Sequence, residues 1–216
     1  MCGISGAVGL KDISELLFEG IRNLEYRGYD SCGVALMNKT RLHIKKDIGG
    51  VEEFYRKHNV LQYKSKIGIA HTRWATHGKV TQENTHPFTS RDGKFAVVHN
   101  GIISNYRPLR AQLQKEGFKF FSETDTEVLA HLLEKFYKRS RNVEKAFVKM
   151  LNLIEGTYAI AFISSYLPEQ IFCAKKESPL MLGIGDEIKF IGSDFNAFID
   201  HTKNAVILDD GEYAIL

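Results

Sequence analysis

The order of elements along this 216-residue chain predicts a layered α+β fold. Strand-like runs come first, two amphipathic helices lie consecutively in the middle, and a closely spaced series of strands follows. Parallel βαβ units would instead place a helix between successive strands. Short strands separated by turn residues argue for antiparallel pairing. No Pro-, Gly- or Ser-rich linker divides the sequence and no internal repeat appears, so residues 1–216 read as one domain.

Each element has its own warrant. In "KDISELLFEGIRNLEYRG" (11–28), apolar residues at 13, 16, 17, 21 and 24 make a helical stripe. Asp12 followed three residues later by Glu15 has the form of a capping box, and Gly28 sits at the expected exit turn. "GVALM" (33–37) and "RLHIKK" (41–46) read as strands joined by "NKT". "IGIAH" (67–71) and "FAVVH" (95–99) are short, apolar and bounded by polar residues, hence buried strands. Between them, "WATHGKVTQENTHPFTSRDG" lacks apolar periodicity and reads as a long irregular loop, which in a compact domain is usually functional or disordered. "NYRPLRAQLQKEG" reads as a helix with proline in its first turn and glycine as its stop. "TDTEVLAHLLEKFYKR" (124–139) and "VEKAFVKMLNLIEG" (143–156) are the two consecutive helices. "TYAIAFIS", "QIFCAKK", "LMLGIG", "IKFIGS", "AVILDD" and "EYAIL" complete the strands. The apolar, uncapped ending "YAIL" suits a natural terminus or a domain boundary equally well.

Composition narrows the class. At 44% hydrophobic and 25% charged residues the chain is an ordinary globular one with a substantial core. Its formal charge of +3 is too small to imply a nucleic-acid or membrane-surface partner. The most basic stretch, "YRKHNVLQYKSK" (55–66), reads as a solvated face or loop. No apolar run approaches the ~18 residues of a membrane span, and the N-terminus lacks the pattern of a secretory signal. Three cysteines cannot form a complete disulfide set and fit a reducing compartment. The expected location is cytoplasmic.

Four short stretches carry residues suited to chemistry. The first is "MCGISG" (1–6). The small second residue suits removal of Met1, which leaves Cys2 with a free α-amine beside its thiol. Their ordinary pKa values are about 7.7–8.0 and about 8.5, so the amine takes the thiol proton directly or through one water. Gly3 is expected to let the backbone crowd a bound substrate. A small hydrophobe in a first strand explains the same cysteine. In "HTRWATHG" (71–78), Arg73 offers a planar fork for a carboxylate and Trp74 a pocket wall; a surface ion pair and core packing are the competing readings. In "VVHNGIISN" (97–105), a strand running into Asn100-Gly101 implies a sharp turn that presents a side-chain amide beside a backbone N–H, the ingredients of an oxyanion hole. The same pair is a common hairpin turn. In "SETDTEV" (122–128), Ser122 or Thr124 caps the next helix, or Asp125 projects to bind an ammonium. His71, His77, His86 and His99 match no zinc-ligand spacing and read as structural or substrate-side, so no metal and no cofactor are expected.

Taken together, "MCGI", "LEYRGYDS", "GIAHTRWATHG", "NTHPF", "VVHNGIISNY" and "SETDTEV" resemble, in this order, the glutaminase domain of the glucosamine-6-phosphate synthase family. That family belongs to the class II glutamine amidotransferases, N-terminal-nucleophile hydrolases. The purine and asparagine relatives share the terminal cysteine and an Asn-Gly pair but lack "EYRGYDS" followed by "HTRWATHG". The resemblance implies a four-layer αββα sandwich of two stacked antiparallel sheets, with Cys2 entering a strand of a central layer. It implies that Cys2 attacks the side-chain amide of L-glutamine, with Asn100 and Gly101 as the oxyanion hole. Arg73 then holds the α-carboxylate, Asp125 the α-ammonium, Trp74, Thr76 and His77 line the pocket, and Arg27 orders the nucleophile's surroundings. A zwitterionic substrate needs such a forked cation, carboxylate and anion hole, so the residue chemistry agrees.

Two further expectations come with the resemblance. In the family's full enzyme, which is expected to be a homo-oligomer, ammonia passes to a C-terminal isomerase domain that aminates fructose 6-phosphate. That domain is about twice this length and is expected to be absent from these 216 residues. With Met1 attached, the Cys2 nitrogen is an amide without a basic lone pair, and this chemistry stops. Two alternatives stay open: a glutaminase of another amidotransferase, and a glutamine sensor that binds through Arg73 and Asp125 without turnover.

Overall fold

A computed structural model describes residues 2–74 and 79–216. Its strands are β1 (Gly3–Gly9), β2 (Ser31–Asn38), β3 (Arg41–Ile48), β4 (Ile67–Arg73), β5 (Phe88–Thr89), β6 (Phe95–Ile103), β7 (Gly156–Ser164), β8 (Leu167–Lys176), β9 (Met181–Ile184), β10 (Ile188–Gly192), β11 (Ala205–Ile207) and β12 (Tyr213–Ile215). The helices are α1 (Ser14–Arg22), α2 (Val51–His58), α3 (Tyr106–Lys115), α4 (Glu127–Ser140) and α5 (Val143–Leu151).

Seven strands form one sheet in the order β11-β9-β10-β1-β4-β2-β3, and five form a second in the order β12-β8-β7-β6-β5. The pairings within both sheets are antiparallel. Three apolar layers hold the stack together. Ile4, Ile67 and Ile69 of the first sheet pack against Val98, Ala161 and Cys173 of the second. Leu17, Ile21 and Phe54 on α1 and α2 cover the outer face of the first sheet. Leu132, Leu133 and Phe147 on α4 and α5 cover the outer face of the second. The result is the four-layer αββα sandwich expected above.

Several local expectations change in detail. The first helical stripe is split: α1 ends at Arg22, and Glu25–Arg27 form a separate 3-10 turn. Asp12 makes no capping box with Glu15. Its Oδ1 accepts from the Ser14 N–H and hydroxyl and from the Ser65 N–H, tying the helix start to the approach to β4. The basic stretch begins inside α2, whose Val51, Phe54 and Tyr55 are buried while its charges face out. Three apolar residues in eight are too few to mark a short helix by period alone. Neither Ser122 nor Thr124 caps α4. The first-turn Glu127 reaches back instead, accepting from the Phe121 and Ser122 N–H groups. Asn100-Gly101 is no turn: β6 continues through it to Ile103, with Gly101 at φ +117°. A Cβ there would meet the Thr157 carbonyl oxygen at 2.2 Å, so only glycine lets the strand bend this close to β7. The segment read as irregular contains β5.

Candidate active site

Cys2 immediately precedes β1, which lies between β10 and β4 in the first sheet. The register pairs Gly3 with Thr72, so Cys2 emerges beside the end of β4, where Arg73 and Trp74 follow. Its Sγ accepts from the Trp74 N–H at 3.4 Å and lies 3.7 Å from the Trp74 carbonyl oxygen. Burial pushes the Cys2 thiol above its ordinary pKa; the Trp74 N–H and the Arg73 charge oppose that shift without cancelling it.

The peptide beside the sulfur is held from several directions. Thr72 donates its hydroxyl to the Gly28 carbonyl, and the Asp30 N–H donates to the Arg73 carbonyl at 3.0 Å. A Cβ on Gly28 would stand 2.7 Å from both the Arg73 carbon and the Trp74 nitrogen, so the two segments touch backbone to backbone. The Cys2 carbonyl accepts from Arg27 Nε at 3.3 Å and from Asn100 Nδ2 at 3.0 Å. Arg27 is in turn paired with Asp194, Nη1 to Oδ2 at 3.2 Å. A Cβ on Gly3 would meet Leu24 and Thr72 at 2.8 Å, so packing against these two side chains keeps this position small.

Asn100 comes from the other sheet. Along β6 the alternate residues Ala96 and Val98 face the inter-sheet layer, and Asn100 continues that row at its polar end. On β4, Ile67 and Ile69 lead in the same way to His71. His71 Nε2 lies 2.9 Å from Asn100 Oδ1. Cys2, Arg73, Trp74, Asn100, Gly101 and Asp125 line one cavity of about 350 Å³. Asp125 is anchored by its Oδ2, which accepts from the Ile103 N–H at 2.7 Å. Trp74 is 44% exposed and meets Tyr29 edge to face at 5.1 Å, so it walls the cavity and does not pack in the core. A larger cavity of about 770 Å³, beside Lys46, Phe88 and His131, contains no cysteine.

Sequence reading thus named residues that do converge: Cys2, Arg73, Trp74, Asn100, Gly101 and Asp125, with Arg27 against the Cys2 carbonyl. Thr76 and His77 lie outside the described residues. It missed Asp194, which sits after β10 with no local signal that it faces Arg27. It named His71, His86 and His99 as structural or substrate-side but not the buried cluster they form with Thr126, of which His86, His99 and Thr126 line the cavity. His86 Nε2 and His99 Nδ1 both contact Thr126 Oγ1, at 3.1 and 3.0 Å. His71 stacks on His86 with ring centroids 3.9 Å apart. Burial drives the pKa of all three histidines down, that of His71 to about 3, so they are neutral at physiological pH. Among the described residues no group of three or more His, Cys, Asp or Glu is placed to hold a metal ion.

Comparison with known proteins bears on this arrangement. A family model described as "Glutamine amidotransferase domain" matches residues 71–200. The chain is 46% identical over 216 residues to the glutamine–fructose-6-phosphate aminotransferase [isomerizing] of Pyrococcus horikoshii, covering 100% of this chain and 36% of that protein. It is 47% identical over 218 residues to the enzyme of that name from Methanothermobacter thermautotrophicus, of which it covers 37%. The chain thus spans little more than a third of the length of these relatives. Among solved structures, the glutamine phosphoribosylpyrophosphate amidotransferase of B. subtilis superposes with a TM-score of 0.83 at 28% identity, over 99% of this chain and 47% of that one. A glutamine aminotransferase class-II domain protein from Silicibacter pomeroyi, at 15% identity and a TM-score of 0.64, shares the fold over 99% of this chain and 94% of its own.

Proposed function

The chain belongs to the glutamine amidotransferase domain family, and from that premise we propose that it is the glutaminase part of a glutamine–fructose-6-phosphate aminotransferase, with Cys2 as the nucleophile. The observation that carries this reading is the shared cavity. One thiol at the head of a strand faces a space also lined by a forked cation, a carboxylate and a neutral amide, the groups that an amino-acid amide needs.

The chemistry runs as follows. Removal of Met1 frees the Cys2 amine, whose lone pair takes the thiol proton as the sulfur adds to the γ-amide carbon of glutamine. The carbonyl π electrons move to oxygen, and the resulting anion meets Asn100 Nδ2 and the Gly101 N–H. Such donors are worth about 10²–10³ each in rate because they are in place before charge develops. Collapse expels ammonia, which leaves with the proton held by the amine. Water then adds to the γ-glutamyl thioester, and glutamate departs as the thiol is restored. Arg73 grips the α-carboxylate through two parallel N–H donors, and the carboxylate of Asp125 receives the α-ammonium. Arg27, fixed by Asp194, holds the Cys2 carbonyl so that sulfur and amine share a set position. Trp74 closes the cavity wall; Thr76 and His77 lie outside the described residues and keep only the substrate-side role that the motif implies.

In the intact protein the ammonia goes to a C-terminal isomerase domain for transfer to fructose 6-phosphate. Two relatives that carry that name and nearly three times this length support the assignment. The test is ammonia and glutamate release by the chain with its N-terminus defined by mass spectrometry. The Cys2-initiated form is expected to turn over, and both Cys2→Ala and the form retaining Met1 to be inert. Full activity in either inert form rejects the mechanism. Tight glutamine binding without turnover by the Cys2-initiated form would favour a sensor.

A further inference from the structure

We propose that His71 is a positioning residue for this reaction: it fixes which way the Asn100 side-chain amide faces, and so decides that a donor points toward the nucleophile. The proposal rests on the glutaminase reading above.

The argument is one of donor and acceptor counting. An asparagine amide rotated by half a turn has nearly the same shape, with oxygen and nitrogen exchanged, so its orientation is set by its neighbours. Asn100 has two such neighbours. One is the Cys2 carbonyl, 3.0 Å away, which only accepts; the atom facing it must be Nδ2. Oδ1 then faces His71 Nε2 at 2.9 Å, and an amide oxygen only accepts, so His71 must carry its proton on Nε2. With one amide hydrogen on the Cys2 carbonyl, the second is left for the cavity that Asn100 lines.

The surroundings of His71 hold it to this task. The ring is fully buried, on the inter-sheet row that Ile67 and Ile69 begin, and it stacks on His86. Its Nδ1 makes no well-formed hydrogen bond among the described residues, with the His99 backbone only a looser neighbour of the ring. The close acceptor is Asn100 Oδ1, 2.9 Å from Nε2, so the single proton is favoured on that nitrogen. Burial also keeps the ring neutral, which leaves one proton to place, and Nε2 is where it finds an acceptor. The neighbouring His86 is turned to Thr126 through its Nε2, and the contact to Asn100 is made by His71. The bond crosses between the two sheets, from β4 to β6, and so locks the oxyanion donor of one sheet to the strand that carries Arg73 in the other.

Two measurements decide the matter. In the wild-type chain labelled with ¹⁵N-histidine, the imidazole signal that disappears in His71→Leu is expected to show a protonated Nε2 and a bare Nδ1. It should not titrate across the range where ordinary histidines do, near about pH 6.5. A protonated Nδ1 would mean that Asn100 faces the other way and would overturn the proposal. In glutamine hydrolysis, His71→Leu is expected to lower kcat by about tenfold or more while KM moves little, and His71→Gln, whose amide can donate to Oδ1, to recover part of the loss. An unchanged kcat in folded His71→Leu would equally overturn it. Should the leucine variant not fold, His71→Gln identifies the signal and the imidazole reading stands by itself. A wild-type chain that releases no glutamate sinks the functional reading instead, and the spectrum still reports the orientation of Asn100.

Discussion

Arg73 and Asp125 grip opposite ends of the glutamine backbone in the proposed complex, and neither touches the breaking bond. Arg73 is 6% exposed at the end of β4, with Nη1 3.4 Å from the Lys79 carbonyl. Lysine in its place offers a point charge without the second parallel donor. Arg73→Lys and Asp125→Asn are therefore expected to raise KM for glutamine by about 10–100-fold, the effect of losing roughly 1.5–3 kcal/mol from a charged hydrogen bond. Their kcat should change far less. Steady-state kinetics separate the two, and a loss confined to kcat would place these residues at the reaction and not at the substrate's ends. At the same scale burial pushes the Cys2 thiol above its ordinary pKa, and the three neighbouring histidines are neutral. In the proposed mechanism the free amine is favoured as base because it shares a residue with the sulfur.

At the level of elements, the 118–127 segment and the start of α4 position Asp125. Glu127 anchors this corner. Burial raises its pKa, but the nearby His131 ring, 3.7 Å away, and hydrogen bonds from the Phe121 N–H and the Ser122 hydroxyl and N–H outweigh that and bring it down to about 2. A carboxylate depressed in the folded state stabilises the fold above its unfolded value, near 4.3, and loses that contribution as pH falls toward 2. Glu127→Gln is expected to cost about 1.5–3 kcal/mol at neutral pH, a fall in Tm of roughly 5 °C for a chain of this size. The gap between wild type and variant should close as the pH is lowered from about 6 to about 3. Thermal melts across that range check it, and a gap that widens in acid would contradict the ionised assignment. The neighbouring element, the 3-10 turn before Gly28, acts through contact: Gly28 lets its chain lie directly on the Arg73–Trp74 peptide that faces the sulfur.

For the whole molecule, the decisive feature is that the site is split between two sheets. Cys2, Arg73 and His71 come from the seven-stranded sheet, Asn100 and Gly101 from the five-stranded one, and Asp125 from the loop entering α4. The inter-sheet layer is built of buried apolar side chains and turns polar where Asn100 and His71 end its rows, so relative sliding of the sheets would break the Asn100 bonds to Cys2 and His71 together. Spanning little more than a third of its relatives, this chain is expected to convert glutamine to glutamate and ammonia but to form no amino sugar when fructose 6-phosphate is added. Chromatography of the products checks this, and any hexosamine 6-phosphate formed would show that the 216 residues hold more of the activity than this assignment allows. Among the described residues no helix is long and apolar enough to cross a membrane.

The sequence by itself determined the layered α+β class, because apolar period separates strands from helices wherever an element is long. It also pointed to residues that share one cavity, because Cys2, Arg73, Asn100-Gly101 and Asp125 are residue types with narrow uses in recognisable contexts. It did not reveal that Asn100-Gly101 continues a strand, since the bend depends on the Thr157 carbonyl from β7. Nor did it connect Asp194 to Arg27, or His71 to Asn100, because a side chain's partner across 167 or 29 residues is fixed by strand order and register. Only the tertiary structure decided which nitrogen of His71 carries the proton, since that follows from where two acceptor-only oxygens lie in space.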